Sequence, residues 1–203
     1  MLYAANPSTP AVREAMTAGR LVCITTPRQG NRIPDRARVC LDNGVFGKGW
    51  PGEDAWLAWV KRHQPIADRV LFVVAPDVVG DAAATLDRSR PWLPVIRDLG
   101  FPAAFVAQDG QEALPVPWDE FDCLFIGGST EWKLSAHAAN LIREAKALGK
   151  WVHVGRVNSA RRFARFELLD ADSCDGTYIA FGPDVNLPDV LHWTASLFGT
   201  VPT

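Results

Sequence analysis

Six short apolar runs in this 203-residue chain each end in polar residues able to do chemistry. Leu41 is followed by Asp42, Asn43 and Gly44, Ala75 by Pro76 and Asp77, and Ala107 by Gln108, Asp109 and Gly110. Ile126 leads into Gly127, Gly128 and Ser129, Val154 into Gly155, Arg156, Val157 and Asn158, and Cys174 into Asp175, Gly176 and Thr177. Carboxylates move protons, and in pairs they divide acid and base work between them. Glycine lets backbone approach a flat ligand closely. Taken singly, each of these ends is accounted for by turn or cap chemistry. Independent turns, however, need not supply acids at three ends, Asp42, Asp77 and Asp175, with the Gln108 amide and a Gly-Gly turn besides.

What positions these residues is a repeating pattern of a β-branched run, a polar residue and a helical stretch. Candidate strands lie at Met1–Ala5, Leu21–Thr25, Arg38–Leu41, Arg69–Ala75, Ala103–Ala107, Cys123–Ile126, Trp151–Val154 and Ser173–Thr177. The first and last are weak by composition. The middle ones are continuously apolar, as strands buried on both faces should be. Helical patterns cover Pro10–Ala18, Glu53–His63, Asp81–Leu99, Leu134–Leu148, Ser159–Leu169 and Leu187–Phe198. Pro91 and Pro94 kink or split the third, and Asn158 is placed to cap the fifth. Strands alternating with helices pair in parallel through right-handed crossovers. Eight of them predict an α/β fold of the compact (β/α)8 TIM-barrel kind in one domain spanning 1–203, near the short end of its size range. The alternative is an open, doubly wound sheet of six strands, but the Gly-rich turn such a sheet wants after its first strand is missing. In a barrel, all six polar ends fall on one mouth.

Composition narrows the partners. A hydrophobic fraction of 48% with 22% charged residues excludes wholesale disorder, and a net charge of −2 excludes a generally basic coat. No apolar run reaches the roughly 18 residues of a membrane helix, and Met-Leu-Tyr-Ala-Ala-Asn-Pro-Ser does not read as a secretory signal, so a cytoplasmic location is expected. Cys23, Cys40, Cys123 and Cys174 are scattered singly, without the spacing of a zinc or dithiol site, so neither metal nor disulfide is expected. His63, His137, His153 and His192 show no ligand spacing and read as surface or helix residues. Arginines gather in two places: Arg28, Arg32, Arg36 and Arg38 before the third strand, and Arg156, Arg161, Arg162 and Arg165 after the seventh. On a chain of net negative charge they suggest a local track for phosphates or a solvated helix face.

At the strand ends the sequence resembles the tRNA-guanine transglycosylase superfamily, more closely its DNA-directed branch, the deoxypurine-in-DNA A proteins that insert 7-deazaguanines into DNA. The resemblance is carried by Leu41-Asp42-Asn43-Gly44-Val45-Phe46 (compare Asp-Ser-Gly-Gly-Phe), Ala75-Pro76-Asp77, Gln108-Asp109-Gly110 (compare Gln-Gly-Gly), Ile126-Gly127-Gly128, His153-Val154-Gly155 and Asp172-Ser173-Cys174-Asp175-Gly176-Thr177. These stand in family order from about Leu41 to Thr177. Asn43 replaces a Ser, Val45 a Gly, and Gly47 stands where the tRNA enzymes carry Gln. The Cys-x-Cys-x-x-Cys zinc element of the tRNA enzymes is absent, which argues against a tRNA substrate.

The resemblance implies base exchange at a glycosidic bond, with double-stranded DNA and a free 7-deazaguanine as substrates and no cofactor. By motif Asp175 is the nucleophile, with Asp172 and Asp170 as nearby competitors, and Asp42 is the general acid/base. Asp77 fits the N1–H/N2–H edge of a guanine-type base, Gln108 and the backbone N–H groups of Gly127-Gly128 its O6 side. Asn43 lies beside them, and Val45 or Phe46 offers an apolar face for an extruded base. Arg28, Arg32, Arg36, Arg156, Arg161, Arg162 and Arg165 would meet phosphates. Two other classes stay open: a small-molecule barrel enzyme (a lyase or phosphate-binding isomerase) whose arginines grip an anion, and a non-catalytic nucleic-acid-binding barrel.

Overall fold

The computed structural model describes residues 1–47 and 49–195. Its strands are β1 (Leu2–Ala5), β2 (Val22–Thr25), β3 (Val39–Leu41), β4 (Val70–Val74), β5 (Ala103–Ala107), β6 (Cys123–Ile126), β7 (Trp151–Val154) and β8 (Ser173–Asp175). All neighbours are parallel, and β8 closes on β1 through Leu2–Ser173, Tyr3–Cys174 and Ala4–Asp175. The expected (β/α)8 barrel is therefore the fold, and the open six-stranded sheet is not.

Period-two alternation makes two cores from these strands. Ala4, Val22, Cys40, Phe72, Val74, Ala104, Val106, Cys123 and Phe125 fill the barrel interior. Their sequence neighbours, among them Tyr3, Cys23, Val73, Phe105, Leu124 and Val152, face outward into the larger core under the helices. All four cysteines are free and buried. No group of three or more His, Cys, Asp or Glu able to hold a metal occurs among the described residues. No helix there is long and apolar enough to cross a membrane.

The helices are α1 (Pro10–Thr17), α2 (Glu53–Lys61), α3 (Ala82–Ser89), α4 (Trp92–Asp98), α5 (Thr130–Lys133), α6 (Ala136–Ala147), α7 (Ala160–Glu167) and α8 (Pro183–Ala195). The proline-broken stretch splits: Pro91 opens α4, and Pro94 lies in its first turn, where a missing N–H costs nothing. The helix expected over Leu134–Leu148 is α6, capped by Ser135 and preceded by the single turn α5. The cap of α7 is Ser159 rather than Asn158, whose Oδ1 instead accepts from the Thr177 N–H at 2.8 Å. The last helix starts earlier than Leu187, and its expected end at Phe198 lies outside the described residues. Between β2 and β3 runs a loop with no α-helix, carrying four arginines.

Candidate active site

The alternation that builds the interior also builds the mouth. Two residues beyond inward Cys40 stands Asp42, two beyond Val106 stands Gln108, two beyond Phe125 stands Gly127, and two beyond Ser173 stands Asp175. All four line a cavity of ≈ 580 Å³ at the C-terminal ends of the strands, a volume suited to one small ligand. Asn43, Phe46, Asp77, Gly128, Arg28 and Arg156 complete the set of expected residues in its wall.

Asp42 and Asn43 are fixed by turn chemistry. The Gly44 N–H donates to Asp42 Oδ1 at 2.7 Å and the Val45 N–H to Asn43 Oδ1 at 2.8 Å. Gly44 has φ +78°, and a Cβ there would sit 2.8 Å from the Gly49 carbonyl carbon, so the loop needs glycine. Burial drives the Asp42 carboxyl from its ordinary 3.8 up to about 7, with repulsion from Asp175 and Asp77 adding to it and the Gly44 N–H opposing. A carboxyl poised near 7 can give and take a proton at neutral pH.

Asp77 is the centre of a buried network. Asn43 Nδ2 donates to one of its oxygens at 2.8 Å and Gln108 Nε2 to the other at 2.6 Å. Asn43 Nδ2 also reaches the Ala75 carbonyl, and Gln108 Oε1 accepts from the N–H groups of Gly80 and Gly128 at 3.0 and 2.7 Å. Burial raises the Asp77 carboxyl's pKa against the pull of these two amides. One expectation is thereby corrected. The Gly127 N–H bonds the Ala107 carbonyl and the Gly128 N–H bonds Gln108, so neither is free to meet a base. What the two glycines supply is room: a Cβ on Gly127 would lie 2.7 Å from Val106 Cγ1.

Two nitrogens hold Asp175. The Arg156 backbone N–H lies 3.0 Å from Oδ1, and His153 Nε2 lies 3.0 Å from Oδ2. Its competitors are elsewhere. Asp172, at the opposite end of β8, is tied to Lys146 at 2.7 Å and accepts from the Val152 N–H, while Asp170 is exposed. Neither lines the cavity.

His153 is the residue the sequence reading missed. It is fully buried inside the barrel, not on a surface or a helix. Its inward position was available from parity with Asp175, since both occupy inward slots of adjacent strands. Lys133 was missed as well: buried in α5, it donates to the Gly155 carbonyl at 2.6 Å, and burial, with Arg156 nearby, brings its pKa down to about 8.

The arginines divide. Arg28 lies in the wall, and Arg156 (φ +59°) lays its guanidinium 4.2 Å over the Phe46 ring while donating to the Gly128 carbonyl. Phe46 itself is 63% exposed, a loose face over the mouth. Arg32, Arg36, Arg161, Arg162 and Arg165 are outside the wall. Arg32 pairs with Asp35 at 3.3 Å, Arg161 and Arg162 begin α7, and Arg165 reaches the Leu134 carbonyl at 2.7 Å.

No protein-family model matches the sequence, and no curated protein matches it. Among solved structures the chain is similar to a variant of the tryptophan synthase α-subunit from Pyrococcus furiosus, at 13% identity and a TM-score of 0.59, covering 98% of this chain and 96% of that one. It is similar to the HpcH/HpaI aldolase from Desulfitobacterium hafniense DCB-2 at 11% identity and a TM-score of 0.54, over 98% and 94% of the two chains. A GH113 β-1,4-mannanase shares 13% identity with a TM-score of 0.52, over 97% and 98%. At these identities the likeness is one of fold.

Proposed function

We propose that the chain is a base-exchange transglycosylase, replacing guanine in DNA by a 7-deazaguanine through a covalent Asp175–sugar intermediate. One observation carries the reading: Asp42 and Asp175 stand in one cavity, at the C-terminal ends of β3 and β8 with β1 and β2 between them, in contrasting environments. Burial pushes Asp42 up to about 7, whereas Asp175 is held at one oxygen by the Arg156 backbone N–H and lies 3.0 Å from His153 Nε2 at the other. A carboxyl able to hold a proton at neutral pH, sharing one cavity with a second carboxyl free to attack, is what a retaining glycosidic centre requires. Asp175 attacks C1′ as the C1′–N bond breaks, and Asp42 delivers its proton to the leaving base. The incoming base returns that proton to Asp42 as its nitrogen displaces Asp175. Asp77, held by Asn43 and Gln108, offers its remaining acceptor capacity to the N1–H/N2–H edge. Arginines outside the wall would meet the phosphates of the duplex, and Phe46 would cover the base.

A second reading is favoured by a particular feature. Of the seven expected phosphate-binding arginines only Arg28 and Arg156 stand in the wall, beside the carboxylates, the arrangement one small anionic substrate would use. Under that reading the chain is a small-molecule barrel enzyme, a lyase or a phosphate-binding isomerase. Incubation with duplex DNA and candidate 7-deazaguanines, followed by nucleoside mass analysis, separates the two. New deazaguanosine in the DNA supports exchange. Unchanged DNA with turnover of a phosphorylated metabolite supports the other.

A further inference from the structure

Beneath Asp175 the barrel interior, otherwise apolar, holds a file of hydrogen bonds. Trp151 Nε1 lies 2.8 Å from Ser173 Oγ, Ser173 Oγ lies 2.8 Å from His153 Nδ1, and His153 Nε2 lies 3.0 Å from Asp175 Oδ2. Ser173 and His153 are fully buried. Phe72 and Phe125 flank the imidazole, with ring centroids 5.0 and 4.6 Å away.

Donor accounting gives the file a direction. An indole N–H can only donate, so it fills one lone pair of Ser173. The Ser173 hydroxyl proton then has His153 Nδ1 as its acceptor, which leaves the imidazole proton on Nε2, pointing at Asp175. The reverse tautomer would orphan the buried hydroxyl proton and turn an imidazole lone pair on the carboxylate. Because the file ends at an indole, which accepts nothing, it cannot pass a proton out of the site.

We propose that Trp151, Ser173 and His153 form an orienting relay that presents Asp175 for attack, with His153 as a positioning residue. The inference rests on the base-exchange reading. His153 and the Arg156 N–H each take one carboxylate oxygen, fixing the rotation of the group. As the Asp175 oxygen forms its bond to C1′ and the base leaves with the Asp42 proton, the imidazole keeps its own proton. A neutral donor holds the carboxylate without neutralising it, which an imidazolium would do.

The test has two arms on the full chain. Long-range 1H–15N spectra of 15N-histidine protein at neutral pH should show His153 protonated on Nε2, with Nδ1 an acceptor, and Ser173→Ala should shift Nδ1. The Nδ1–H tautomer or an imidazolium would overturn the relay. In the second arm, trapping of DNA on Asp175 should slow about 10–100-fold in His153→Leu, the scale of one lost hydrogen bond to a charged group, with the KM for the free base unchanged. His153→Gln, whose amide N–H can take the place of Nε2–H, should recover most of that rate. Full activity in His153→Leu, or no recovery in His153→Gln, would also overturn it. A chain that forms no adduct in any variant refutes base exchange, and the relay's catalytic purpose with it, while the spectrum separately decides its hydrogen-bond order.

Discussion

Asp42 ties the chemistry of the site to its stability. A carboxyl whose folded pKa lies above its unfolded one holds its proton more tightly when folded. Ionising Asp42 therefore costs folding free energy that is absent below about pH 4, grows with pH and is complete above about 7. Asp42→Asn should be more stable than the unmodified chain above pH 7, by on the order of 2–4 kcal/mol, and equal to it at pH 4, by denaturant unfolding at each pH. The same carboxyl acts as acid when the first base leaves and as base when the second enters. Adduct formation should accordingly fall as pH rises through about 7, and release of the adduct by free base should fall as pH drops through it, in single-turnover measurements of each half-reaction. Asp77→Asn tests the recognition network. Neither neighbouring amide can turn to meet the new NH2 group, because Asn43 Oδ1 already accepts from Val45 and Gln108 Oε1 from Gly80 and Gly128. We expect a loss of about 2–3 kcal/mol of stability, read from denaturant midpoints, and loss of guanine exchange beyond what that explains.

The elements carry these residues by parity, and the turn between β6 and α5 is a tightly constrained joint. Gly128 has φ +68°, and a Cβ there would fall 2.6 Å from Asp109 Oδ2 and 2.8 Å from Trp132 Cε3. Gly128→Ala should cost about 2–3 kcal/mol in thermal unfolding and loosen Gln108, which the Gly128 N–H helps to hold. At this level much was legible in the sequence. Every strand was found within two residues, because buried parallel strands read as apolar runs broken by turns. Asp42, Asp77, Gln108 and Asp175 were found together because a barrel brings strand ends to one face. What escaped was relational. His153 looked like an isolated imidazole, since nothing in Trp-Val-His-Val reveals that Ser173, twenty residues on, stands beside it. The Gly127-Gly128 N–H groups looked available because their acceptors, Ala107 and Gln108, come from the previous strand. Asn158 looked like a cap because Ser159 follows it, and only the closure of β8 beside β7 gives Asn158 another partner in Thr177.

For the whole molecule the question is what the mouth faces. If it meets duplex DNA, Arg161→Glu with Arg162→Glu should weaken binding and flatten the slope of log K against log salt by about 0.9 for each phosphate no longer neutralised, measured by fluorescence anisotropy from low to moderate salt. If the substrate is a small anion, the pair of substitutions should leave turnover unchanged, since neither side chain stands in the cavity wall. The most direct measurement is the mass and position of a covalent intermediate. Incubated with duplex DNA without a competing free base and quenched in denaturant, the chain should yield a protein–DNA adduct whose peptide map places the sugar on Asp175. That adduct should vanish in Asp175→Ala and persist in Asp172→Ala. An adduct on another residue, or full base exchange by Asp175→Ala, would contradict the account.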